Sequence, residues 1–177
     1  MTLIIAYILF FLSGLCALMY EVTWFRLFDL YIGVSIYSAT AVLTAFMVGL
    51  ALGSKFIGKK ADQLANPLKV YGWLQIGIGV YCFFLPHIAR SICSLQAPLY
   101  ELMLTSHLLT TFIRFLIVLV VLLPATVAMG GTLPLLARFC SATSRRIGAH
   151  ISLLYAVNTG GAALGAYIAG FHLIEAI

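Results

Sequence analysis

The chain has 177 residues, of which 63% are hydrophobic and 8% are charged, and its formal net charge is +5. About a quarter of the residues in an ordinary soluble domain are charged, so this composition excludes a water-soluble protein of this size. The basic residues lie mostly in short breaks between apolar runs. No basic stripe is interleaved with aromatic residues, which argues against nucleic acid as a partner.

Five apolar runs follow one another along the chain, and each is about as long as the roughly 20 residues that a transmembrane helix needs. The first run starts at Leu3 without the basic region that opens a signal peptide, so we interpret it as a retained helix. The predicted helices cover residues 3–30, 36–57, 70–88, 107–137 and 148–170. The sequence therefore predicts an all-α membrane protein, with one transmembrane domain over residues 1–177 and no soluble domain.

The end of the fourth helix has two interpretations, because Pro124 and Pro134 lie on either side of Gly130 and Gly131. Residues 129–138 either continue the helix with a kink or form a broken segment at the membrane surface. Irregular backbone at membrane depth is tolerated only inside protein or beside water. We therefore favour a kinked continuation.

The distribution of basic residues predicts an orientation in the plasma (inner) membrane. Arg26 and Arg90 lie on one side, with Asp29 and Glu101 nearby. Seven basic residues lie on the other side, where they flank the break after the second helix or lie between the fourth and fifth helices: Lys55, Lys59, Lys60, Lys69, Arg138, Arg145 and Arg146. The positive-inside rule places these two breaks in the cytoplasm. We therefore expect a cytoplasmic N-terminus and a C-terminus outside.

Three charged residues interrupt apolar runs and are candidate binding residues, because a charge within hydrocarbon is costly. Glu21 and Arg26 end the first run, and Arg114 lies about 10 Å into the fourth helix. Glu21 lies at a comparable depth, so we favour a structural ion pair between Glu21 and Arg114. The alternatives are a substrate or proton site and snorkelling of the side chains to the interface.

Two uncharged polar residues within predicted helices, Gln75 and Asn158, are also candidate binding residues. We favour hydrogen bonds between helices over a polar ligand at both positions. The four cysteines and four histidines are scattered, so we predict no metal site and no cofactor. No nucleotide-binding or catalytic motif is present, so we predict no enzymatic activity for this chain.

Small residues recur at four-residue spacing in the second and fifth predicted helices. They are Ala45, Gly49 and Gly53 in the second helix and Gly161 and Gly165 in the fifth. This spacing aligns them on one helix face, where another backbone can approach closely. We expect a helix from a second copy or from another membrane subunit against at least one of these faces.

The sequence GKKAD at residues 58–62 resembles the Gly-xxx-Asp loop that joins helices two and three of major facilitator transporters. The resemblance implies that Gly58 and Asp62 lie in a cytoplasmic loop, in agreement with the charge distribution. Gln63 departs from the basic residue that usually follows. The family also implies that the second and fifth helices of one transporter half contact the other half.

Four motifs in the same order resemble the membrane domain of spermidine-synthase-like membrane proteins. They are SG at 13–14 with YEVTWFR at 20–26, FMVGLALGS at 46–54, MGGTLPLL at 129–136 and YAVNTGGA at 155–162. Gln75 and Glu175 depart from the Glu and Pro expected there. In that family a soluble aminopropyltransferase-like domain usually follows, and its cofactor-binding residues are absent from this sequence. The resemblance therefore implies a membrane module and not polyamine synthesis.

The preferred hypothesis is a half-transporter-like bundle that acts as a module of a larger membrane assembly in the lipid bilayer. One alternative is the membrane anchor of an aminopropyltransferase-like enzyme whose catalytic domain is not in this sequence. Another is an accessory subunit with a purely structural role. A polar cavity around Glu21, Arg114 and Asn158 would favour transport, and a dry bundle would favour the accessory role.

Overall fold

The structure is a computed structural model that describes residues 2–32, 35–94, 107–143 and 147–173. In chain order, the helices are α1 (Thr2–Ile32), α2 (Ser35–Ala61), α3 (Pro67–Ser94), α4 (His107–Gly130), α5 (Thr132–Thr143) and α6 (Ile147–Ile168). A π-helical turn, Ala169–Leu173, follows α6 directly. These helices form five segments that are long and apolar enough to cross a membrane. The predicted all-α membrane fold is therefore confirmed.

The helices extend past the apolar runs that reveal them in the sequence. Helix α2 continues to Ala61 through Lys59 and Lys60, which lie in its last turn, where cations interact favourably with the helix dipole. Helix α3 begins at Pro67, a residue that suits a first helical position because it has no N–H to leave unpaired. The Asn66 carbonyl accepts the Val70 N–H at 3.3 Å. The segment around Pro98 and Glu101 lies outside the described residues.

Helices α4 and α5 form one membrane segment, Leu108–Ala142, of 35 residues. Between them, the Gly131 N–H donates to the carbonyls of Val127 at 3.3 Å and Ala128 at 3.1 Å, and the Leu135 N–H donates to the Gly131 carbonyl. Pro134 has no N–H to donate, which removes one bond of the helical ladder at this point. The backbone nevertheless passes through Gly131 with helical hydrogen bonds, which supports the continuous fourth segment over a broken one.

The bundle is built on two closely packed helix pairs, α2 with α4 and α1 with α6. Helix α3 lies against α4 and α5, and α5 also contacts α2 and α6. Two apolar clusters fill the interior. The larger one includes Trp24, Phe28, Val42, Leu85 and Leu122, and the smaller one includes Phe10, Ala61, Tyr71, Leu135 and Leu154.

The two clusters lie at opposite ends of the bundle because successive helices run in opposite directions. The smaller cluster combines the start of α1, the end of α2 and helix α5, whereas the larger one combines the end of α1 with the start of α2. We call the end with the smaller cluster the basic end, because it carries Lys55, Lys59, Lys60, Lys69 and Arg138. The described part of the second basic break therefore lies at the same end as the first, as the charge distribution predicts.

Candidate functional site

The contact between α2 and α4 is a seam of glycines and one threonine. A Cβ atom added at Gly49 would overlap the Thr126 side chain, and one at Gly53 would overlap the Val127 carbonyl. From the other helix, a Cβ at Gly130 would overlap the backbone of Leu50. Backbones can approach this closely only where side chains are missing. These three glycines therefore set the distance between α2 and α4.

The contact between α1 and α6 is a second seam of the same kind. Cβ atoms added at Gly161 and Gly165 would overlap the backbone carbonyls of Phe11 and Leu15 in α1. From the other helix, a Cβ atom added at Gly14 in α1 would overlap the backbone and the side-chain oxygen of Asn158. Asn158, a candidate binding residue, is thus half-buried in this seam beside a glycine.

Both small-residue faces are filled by helices of the chain itself, which corrects the expectation that an external helix covers one of them. Gly49 and Gly53 pack on α4, and Gly161 and Gly165 pack on α1. Ala45 is fully buried in the same seam, and its carbonyl faces the Thr126 hydroxyl at 3.4 Å. A partner on another surface stays a prediction, but these five residues do not provide its contact.

Glu21 and Arg114 do not form the ion pair that their depths predict. Both residues belong to the part of the chain that the structure describes and are half-buried, and no ion pair within 4 Å joins them. Arg26, the third candidate of this group, is exposed. Equal depth along two helices therefore did not bring these side chains together.

Glu21 lies on the face of α1 that packs into the larger cluster. Ala17, Trp24 and Phe28 belong to that cluster or pack against it, and Glu21 continues their spacing of three or four residues. Trp24 stacks on Tyr20, with ring centroids 5.8 Å apart. Within the described residues, the Glu21 carboxyl has neither a hydrogen bond nor an ion pair. A carboxyl group in this position is available to bind a group that the described part of the chain does not provide.

Gln75 is part of a hydrogen-bonded chain and does not itself join two helices. Its side-chain amide donates to the Tyr71 hydroxyl at 2.8 Å, one turn earlier in α3. The Tyr71 hydroxyl donates to the Leu9 carbonyl in α1 at 3.2 Å, and Tyr71 is 2% exposed. The bond between helices therefore belongs to Tyr71, while Gln75 supplies the second partner of its hydroxyl.

Gly58 lies within α2 and not in the loop that the transporter resemblance implies, whereas Asp62 directly follows the end of the helix. Both residues lie beside α5. At Gly58 the helix still lies close to α5, since a Cβ added there would be 3.4 Å from the Pro134 side chain. The Asp62 carboxylate lies 3.9 Å from the Arg138 guanidinium; the Asp62 side chain is exposed and that of Arg138 is partly exposed. This ion pair joins the loop after α2, which is the first basic break, to helix α5, which precedes the second basic break.

Three further polar contacts between helices were not predicted from the sequence. The Tyr7 hydroxyl hydrogen-bonds the His150 ring between α1 and α6. The Tyr81 hydroxyl donates to the Val121 carbonyl at 2.8 Å between α3 and α4. Thr126 is fully buried between α2 and α4. Tyrosine and threonine are common in apolar helices, so the sequence does not indicate which residue on another helix each of these side chains contacts.

The surface grooves that the structure shows on α3 are apolar. One runs between α3 and α4 and has a volume of about 400 Å³, with Trp73, Tyr81 and Pro124 among its lining residues. Gly77 lies in this groove and has no neighbour within 4 Å of an added Cβ. No group of three metal-ligating side chains occurs among the described residues. No protein-family model, no curated protein and no solved structure matches the chain.

Proposed function

We propose that this chain is a membrane module, similar to half of a major-facilitator-type transporter, that works as part of a larger membrane assembly. The observation that carries the proposal is the Glu21 carboxyl. It lies within a membrane-spanning helix, on the face that packs into the larger cluster, and has no partner among the described residues. Intramembrane carboxyl groups are rare and usually face a bundle interior or a cavity that serves a function.

The free-energy cost of an unpaired carboxylate at Glu21 is the reason to expect a partner from a larger assembly. An ionised carboxylate in a low-dielectric environment is costly unless a cation, a proton or hydrogen-bond donors neutralise it. Among the described residues, no basic side chain forms an ion pair with it: Arg114 lies beyond 4 Å, and Arg26 is exposed. We propose that a cationic or hydrogen-bonding group from another subunit or from a transported molecule completes this position.

The two glycine seams also fit a module with its own stable structure. They are filled within the chain, so the bundle holds its four principal helices together without help from a partner. The group that completes Glu21 therefore binds to a bundle that is already formed. A module of this kind provides one wall of a site, and the remaining wall belongs to another part of the assembly.

The test is the composition of the native particle, measured by native mass spectrometry after extraction in a mild detergent. We expect the wild-type chain to retain a second subunit or a bound small molecule, and Glu21→Gln to lose it at least tenfold. Asp29→Asn is the matched control, because it removes one carboxylate two turns later in the same helix. A wild-type chain that is a bare monomer, or a Glu21→Gln particle of unchanged composition, would refute the proposal.

A further inference from the structure

The basic end of the bundle carries an excess of cations that its own carboxylates do not neutralise. Its carboxylate in the described part of the chain, Asp62, already lies 3.9 Å from Arg138. No ion pair to a described residue is present at the exposed lysines of this end, which are Lys55, Lys59, Lys60 and Lys69. At the opposite end, the described residues include two carboxylates, Glu21 and Asp29, and three arginines, Arg26, Arg90 and Arg114, so the excess of positive charge there is smaller. The unneutralised positive charge is therefore concentrated at one end.

Two of these lysines, Lys55 and Lys59, lie on an exposed face of α2. Lys59 follows Lys55 by four residues, and Lys55 follows the exposed Val48 by seven, so the three side chains share one helix face. Gly53 and Ile57 lie on the opposite face, against α4 and α5. The lysine pair therefore cannot turn inward to a group of the bundle.

The depth of the two lysines fits the headgroup region of a bilayer. Helix α2 and its membrane segment end at Ala61. Lys55 lies six residues before that end, about 9 Å along the axis, and Lys59 lies one turn nearer to it. Long lysine side chains at such depths extend toward the interface and carry their charge to the headgroups. The apolar surface around Val48, deeper in the same face, is then in contact with acyl chains.

We propose that Lys55 and Lys59 bind the phosphate group of an anionic phospholipid whose acyl chains lie along the Val48 face of α2. Two ammonium groups one helical turn apart can contact the same phosphate and give it two charge-assisted hydrogen bonds. Anionic lipids are attracted to lysines near the membrane surface, and each lysine strengthens the interaction. The site selects an anionic lipid because the local excess of lysines repels the cationic group of a zwitterionic headgroup.

The experiment measures lipid binding to the full chain in an uncharged detergent, by native mass spectrometry with added phosphatidylglycerol or phosphatidylcholine. We expect phosphatidylglycerol to bind more tightly to the wild type. Lys55→Gln with Lys59→Gln should weaken that binding by roughly 30-fold, from the contribution expected for two lysines near the surface. Lys55→Arg with Lys59→Arg should retain it, since both charges remain.

Arg90→Gln is the control for charge as such, because Arg90 is an exposed cation in α3 at the opposite end. It should leave phosphatidylglycerol binding unchanged. Inorganic phosphate at the same concentration should not compete, because it has no acyl chains to lie along α2. Equal binding of both lipids, competition by inorganic phosphate, or unchanged binding after the double glutamine substitution would each overturn the proposal.

Discussion

The two glycine seams use the same chemistry but differ in what surrounds them. In the seam between α2 and α4, the helices are covered on other sides by α1, α3 and α5. In the seam between α1 and α6, helix α6 has little other support, and its buried residues are Leu154, Gly161 and Gly165. Helix association in lipid depends on close packing, since burial of apolar surface gains little there. The first seam therefore stabilises the whole bundle, whereas the second attaches one helix to it.

The largest effect in this comparison is expected for Gly53→Leu. The added side chain would overlap the Val127 carbonyl and the Gly130 backbone, and main-chain atoms in a helix cannot move aside locally. Overpacking usually costs about 1–3 kcal/mol, and we expect the upper part of that range or more at this position. The measurement is the unfolding free energy in detergent, together with the elution profile of the purified chain.

Gly79→Leu is the matched control for Gly53→Leu. It makes the same substitution within helix α3, where a Cβ has no neighbour within 4 Å. The substitution should leave the unfolding free energy near the wild-type value, because the new side chain meets open space. Equal destabilisation by both variants would mean that the seam between α2 and α4 does not hold the bundle together.

A smaller and more local effect is expected for Gly165→Leu in the second seam. The side chain would overlap the Leu15 backbone and move α6 away from α1, while α2, α3 and α4 keep their mutual contacts. We expect a cost of about 1–2 kcal/mol and faster proteolysis near α6, without loss of the remaining helices. Gly160→Leu is the control on the same helix, because an added Cβ there has no neighbour within 4 Å. Cooperative loss of all helices in Gly165→Leu would show that the two seams are equivalent.

The sequence reveals which residues pack closely but not which helices they join. The four-residue spacing of Gly49, Gly53, Gly161 and Gly165 predicts helix faces that another helix can approach closely. Each of these glycines does lie against the backbone of another helix. The pairing was missed, because a small-residue face fits any helix with a complementary surface. Membrane segments are easier to predict, since each must supply its own apolar length and internal hydrogen bonds.

A similar limit explains why the ion pair between Glu21 and Arg114 was predicted but does not form. The depths of Glu21 and Arg114 follow from counting residues along their helices, but an ion pair also requires the two helices to turn toward each other. That angular position depends on the packing of the whole bundle, and no pattern within one helix contains it. The contact between Tyr71 and Gln75, by contrast, could have been found, because residues four apart are neighbours on a helix surface.

The smallest effect is expected for Thr126→Val, which removes the polar bond across the first seam and leaves its glycines in place. The Thr126 hydroxyl lies 3.4 Å from the Ala45 carbonyl but only 2.9 Å from the Leu122 carbonyl of its own helix, so the bond across the seam is the weaker of the two. Valine has nearly the same shape and leaves no buried donor unpaired. We expect a loss of about 0.6 kcal/mol or less, the average for such bonds in membrane proteins, measured by unfolding in detergent. Thr126→Ser keeps the hydroxyl and removes the methyl group, so it should cost more than Thr126→Val if packing holds the seam. The reverse order would assign the stability of this seam to its hydrogen bond, and the glycines would then have only a permissive role.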